Sequence, residues 1–137
     1  MSPEEARADL ARRAEAIEAG YEMMLAYAAQ GLATDQGAAH GGQLRELLTR
    51  FDAALTGLSD SYRAYATQIG AGPADAVGAF LDVLARDASA AQAGIRLVLG
   101  QPGISSQLVD NLNASIHVRA LLTDVFLIDE LLVTAAG

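Results

Sequence analysis

The chain has 137 residues, no cysteine, and nine basic residues against seventeen acidic ones, a formal charge of −8. The missing cysteine removes disulfides, thiolate metal sites, iron–sulfur clusters and thiol nucleophiles, and the acidic balance opposes binding to nucleic-acid phosphates. Apolar residues make up 52% of the chain, which supplies a packed core for one domain over 1–137 without staples.

The first helix is predicted over about residues 3–30. Ser2-Pro3-Glu4-Glu5 combines a capping serine, a proline suited to the first helical position and a glutamate at the capping-box position. Leu10, Ala14, Ile17, Tyr21, Met24 and Ala28 follow at helical spacing. A second row of small and apolar residues, Ala16, Gly20, Met23 and Tyr27, runs beside them. Gly31 stops the helix, and the glycine-rich stretch 32–42 reads as a loop.

The second helix is predicted over about 43–69. Leu44, Leu47, Leu48, Phe51, Leu55, Leu58, Tyr62, Tyr65, Ala66 and Ile69 share one face, with charges on the other. Gly70-Ala71-Gly72-Pro73 ends it. The third runs over about 74–99 on Val77, Phe80, Leu81, Leu84, Ala88, Ala91, Ile95, Val98 and Leu99. Gly100-Gln101-Pro102-Gly103 closes that helix, and Ser105 or Ser106 caps a fourth over about 106–134. No segment alternates with period two, so the fold class is all-α. Four long, singly striped helices pack as an antiparallel up-down-up-down four-helix bundle, either within one chain or as an intertwined dimer.

The fourth helix carries an anomaly. Leu108, Val109, Leu112 and Ile116 form one stripe, which at about 100° per residue runs on into Arg119, Thr123 and Glu130. A second apolar row, Val118, Leu121, Val125, Ile128 and Leu132, opens on nearly the opposite side. A helix with two apolar faces has two things to pack against, and this row is the expected homodimer interface. Arg119, Thr123 and Glu130, lying where the first stripe would be core, are the candidate lining of a polar ligand pocket, with Tyr21 or Tyr62 nearby.

Other site chemistries fail on residue type or spacing. His40 and His117 are not in Glu-x-x-His pairs, so a di-iron centre of the bundle type has no ligand set. Glu15, Glu18 and Glu22 lie off the apolar stripe, as a solvated acidic face. His117 shares its side with Asp110, Asn113 and Asp124, the polar side of the helix, so haem ligation is not expected. His40 stands beside Gly41-Gly42, a plain connector, and every basic residue is arginine, which excludes the lysine of a phosphate-binding P-loop.

No catalytic residue, cofactor or metal is expected. The acidic N-terminus carries no leader pattern. Arg119, Asp124, Asp129 and Glu130 interrupt the most apolar region, so no membrane partner is expected. The expectation is a cytoplasmic, bacterial interaction or regulatory bundle protein that is not an enzyme, forms a homo-oligomer and takes a protein partner. The alternative is a small-molecule or cofactor-binding bundle, an enzyme included, with its polar pocket near Arg119, Thr123 and Glu130.

Overall fold

In the computed structural model, described for residues 1–39 and 41–136, the fold is all-α. Six helices are present among these residues: α1 Pro3–Ala28, α2 Gly41–Leu55, α3 Leu58–Gln68, α4 Ala74–Leu99, α5 Ser106–Ala114 and α6 Ile116–Ala136. Three of the predicted starts and stops hold. Ser2 and Glu5 form the reciprocal capping box at the head of α1, each bond 3.1 Å long. Gly31 takes a positive φ just past its end. Ser105 accepts the Leu108 N–H at the head of α5.

Two predicted helices are each broken once, which corrects their continuous spans of 43–69 and 106–134. The first break is at Gly57, where φ is +77°, a conformation that costs glycine nothing and other residues dearly. The carbonyls left open by this break are satisfied from both sides, as helix ends require. The Arg13 guanidinium on α1 donates to the carbonyls of Ala54 at 3.0 Å and Thr56 at 2.5 Å. Gln92 on α4 donates to the Asp52 carbonyl at 2.9 Å and the Thr56 hydroxyl at 2.8 Å.

The second break is at Ser115, which is extended, with φ −63° and ψ 144°. Its N–H still bonds back to the Leu112 carbonyl, closing α5. Its hydroxyl accepts the Val118 N–H at 3.4 Å, opening α6. One extended residue resets the rotational phase of the helix, because helical phase advances about 100° per residue only while the helix continues. Val109 and Leu112 are therefore buried before the break, and Val118, Leu121, Val125, Ile128 and Leu132 are buried after it. The change of apolar side is a change of helix, not a second face.

The core is built from the predicted stripes of α2, α3 and α4, where Leu44, Leu48, Phe51, Leu58, Leu81, Leu84 and Ile95 are almost wholly excluded from solvent. On α1 the second row goes deeper than expected: Gly20 and Tyr27 are buried, while Leu10, Ala14 and Tyr21 are only half-buried. Gly20 is there for proximity. A Cβ on it would lie 2.5 Å from the Phe51 ring, so α1 and α2 can approach only with no side chain at this point.

α1 packs on α2, α3 and α5, whereas α6 lies on α4 and meets the end of α5. No helix among the described residues is long and apolar enough to cross a membrane.

Candidate functional site

The residues singled out from the sequence fall on α6 and move in opposite senses. Val118, Leu121, Val125, Ile128 and Leu132, the expected interface, are between 0% and 6% exposed within the chain's own core. That assignment is corrected: a row already covered by α4 and its neighbours has no surface left to offer a second subunit. Arg119, Thr123 and Glu130, expected to face inward, are all exposed. Ile116, the last member of the α5 stripe, is 75% exposed. All four were displaced outward by the phase reset at Ser115.

This rotation leaves a different apolar row in the open. Ile116, Ala120, Thr123, Leu127 and Leu131 fall within an arc of about 80° on α6 and point roughly 140° away from the buried row, at 3.6 residues per turn. Of the eight large hydrophobic residues exposed in the described chain, five are on α6: Ile116, Leu127 and Leu131 along this row, and Phe126 and Val133 about 110° round the helix from it. Such clustering marks a surface, since apolar residues scattered singly are ordinary. Leu127 and Leu131 also meet Pro73, Ala76 and Phe80 of the α4 start across a shallow apolar groove of about 250 Å³.

Arg119 and Thr123 do share a depression, with Ile116, Ala120 and Asp124, but Glu130 does not join them and the depression lies on the outside of the helix. The Thr123 hydroxyl bonds to the Arg119 carbonyl at 2.9 Å, and no carboxylate among the described residues lies within 4.0 Å of the Arg119 guanidinium. Asp124 is the unexpected member. It is only 8% exposed, and its Oδ2 has no hydrogen-bond partner. Burial first, and then the neighbouring Asp87 carboxylate on α4, push its carboxyl from the ordinary 3.8 up to about 7. A carboxyl that is buried and faces a like charge loses part of its preference for the ionised form.

On the other flank of α6 a larger groove, about 600 Å³, separates α6 from α1. Leu10, Ala11 and Ala14 line one wall, Leu132, Val133 and Ala136 the other, with Tyr65, Arg7 and Asp129 completing it. The Tyr62 hydroxyl, from the buried side, donates to Asp129 Oδ1 at 2.6 Å. Burial raises the Asp129 carboxyl above its ordinary range, with the Tyr62 hydrogen bond opposing the shift. Burial, and then the Asp129 carboxylate, raise the Tyr62 phenol. Neither Tyr62 nor Tyr21 lines either groove: Tyr62 is buried and reaches the larger one only through its hydrogen bond to Asp129, and Tyr21 is half-buried on α1.

The remaining polar residues serve the fold. Asp35 is buried and takes the Arg45 guanidinium on Oδ2 at 2.5 Å and the Ile104 N–H on Oδ1 at 2.7 Å. The Arg45 hydrogen bond is the main reason its carboxyl sits below the ordinary range. Arg45 also donates to the carbonyls of Leu99 and Gln101 past the end of α4. His117 is exposed, as its polar side predicts, and His40 lies outside the described residues. No group of three potential metal ligands occurs among the described residues. No protein-family model, curated protein or solved structure matches the chain.

Proposed function

We propose that the chain is a single cytoplasmic domain in which the six helices act as the four rods of an antiparallel up-down-up-down bundle. Its function is that of a non-enzymatic interaction protein, self-associating through the outer face of α6. The observation that carries this reading is the clustering of exposed apolar side chains on α6, with Ile116 and Leu127 at 75% and 59% exposure.

The row is also self-complementary. Ile116 and Leu131 stand equally far either side of the Thr123–Asp124 peptide, as do Ala120 and Leu127. Two copies of α6 laid antiparallel about that point would oppose Ile116 to Leu131 and the small Ala120 to Leu127, twice over, as a two-fold interface requires. Arg119 and Glu130 lie on one flank of the row at nearly matching distances from the same centre. Each arginine would therefore meet the other subunit's glutamate. This gives the three polar residues a role that neither a core nor a pocket supplies.

Sedimentation equilibrium tests the reading. The protein should be a dimer at tens of micromolar, and Leu127→Glu should be a monomer. Its urea midpoint, measured at a concentration where the wild type is also monomeric, should be within about 0.5 kcal/mol of wild type, because the side chain is solvent-facing. A wild-type monomer at that concentration overturns the proposal.

A further inference from the structure

The groove between α1 and α6 carries an inference that does not depend on self-association. Three of the half-buried or buried aspartates have a cation partner, whereas Asp87 and Asp124 lie beside one another and Asp129 stands alone. Asp9 has Arg13 at 2.9 Å, Asp35 has Arg45 at 2.5 Å, and Asp52 has Arg96 at 3.0 Å. Asp129 has none within 4.0 Å among the described residues, although Arg7 lines the same groove. One of its oxygens is held by the buried Tyr62 hydroxyl, which fixes the carboxylate's orientation. The other has no donor from the described chain. The walls on either side are apolar and small: Leu10, Ala11 and Ala14 facing Leu132, Val133 and Ala136. A volume of about 600 Å³ is within the ordinary range for small-molecule sites, which combine apolar walls with a few fixed polar groups.

We propose that this groove is a binding site for an apolar amine, a molecule with one ammonium group on a hydrocarbon or aromatic body. The ammonium sits on Asp129, completing the ion pair that the fold leaves open. The body lies between Leu10 and Ala14 on α1 and Leu132 and Val133 on α6. Tyr62 is a positioning residue: its hydroxyl holds the carboxylate and does not reach the ligand. A carboxylate kept partly out of water gains most from a cation that arrives with its own apolar cover, because both charges are then shielded from solvent together. A fatty acid of equal length is disfavoured at the Asp129 end of the groove, where its carboxylate would meet the aspartate.

Calorimetric titration with octylamine, octan-1-ol and octanoate separates the possibilities, since the three share a chain and differ in head group. Octylamine should bind saturably and at least ten-fold more tightly than octanol, and octanoate more weakly still. Asp129→Asn, which keeps an oxygen for Tyr62, should bring octylamine down to the octanol level while the protein stays folded, with an unchanged helical circular dichroism spectrum. Ala11→Phe, at an exposed position on the groove wall, should weaken octylamine and octanol together. Equal binding of the three probes, no saturable binding, or a preference for the amine that survives Asp129→Asn each overturns the proposal.

Discussion

The two pieces of what the sequence presents as one last helix behave in opposite ways. α5 enters the molecule at an end held by a network of buried hydrogen bonds, with Asn113 Oδ1 near its far end the one buried side-chain atom of α5 left without a partner. The Tyr27 hydroxyl donates to the Ile104 carbonyl at 2.6 Å, and the Ser106 hydroxyl donates to the Tyr27 carbonyl at 2.6 Å while accepting the Leu32 N–H at 2.9 Å. Asp35 and Arg45 tie the same loops together. α6 leaves that network and runs along α4, where Thr123 and Asp129 each have one hydrogen bond. Among the described residues Asp124 Oδ2 is buried and unpartnered, Asp129 has no cation and Arg119 no carboxylate within 4.0 Å, and four exposed large apolar residues lie beyond Thr123. The buried hydrogen bonds around Tyr27, Ser106 and Asp35 stabilise the fold, because each of these polar groups is paired away from water.

Breaking the satisfied end should have the largest effect. Arg45→Met leaves the Asp35 carboxylate buried without its cation, and unfolding by urea should report a loss of about 3 kcal/mol or more. The exposed Arg96→Met counterpart should lose less than about 1 kcal/mol. Because Arg45 holds the Asp35 carboxyl below its ordinary 3.8, the pair's contribution is present above that value and lost as pH falls through the lower folded one. The difference between wild type and Arg45→Met should therefore narrow on acidification.

The open end should respond with the opposite sign. Asp124 is raised to about 7 from an ordinary 3.8, so the folded chain retains a proton that the unfolded chain has lost between those values, and stability falls as pH rises across that window. Asp124→Asn removes the titration and lets an amide donate towards Asp87. Relative to wild type it should gain stability progressively from about pH 4 to pH 7 and level off above, by up to a few kcal/mol. An unchanged or lower stability at pH 8 would mean that the Asp124–Asp87 contact is not strained.

How much of this was legible follows from how local each signal is. The all-α class and the stripes of α2, α3 and α4 depend on spacing alone, and the buried residues Phe51, Leu81 and Ile95 stand where the spacing put them. The capping box at Ser2 is equally local. Gly57 lies within a good helical stripe that runs on after the break, so the stripe concealed it, although an isolated glycine in a helical run is itself a signal. The Ser115 break was visible only through its consequence, the shift of apolar side. Read as a second partner for one helix, the shift sent the core row to the interface and the exposed row to the core. Asp129 could have been found, because it falls on the α6 side shared by Val118 and Val125 at about 100° per residue. The Asp35–Arg45 tie joins a loop residue to a helix residue through tertiary packing, and no spacing rule announces it.

The claim that matters most is that two copies of α6 meet antiparallel, with Arg119 of each beside Glu130 of the other. Arg119→Glu and Glu130→Arg each place like charges at both contacts. Mixed together, however, the two single variants present opposite charges at both. Sedimentation equilibrium should find each variant largely monomeric alone and the equimolar mixture dimeric at the same total concentration, with the effect fading at high salt. A mixture no more associated than its components, or single variants as dimeric as the wild type, would contradict the antiparallel pairing of α6.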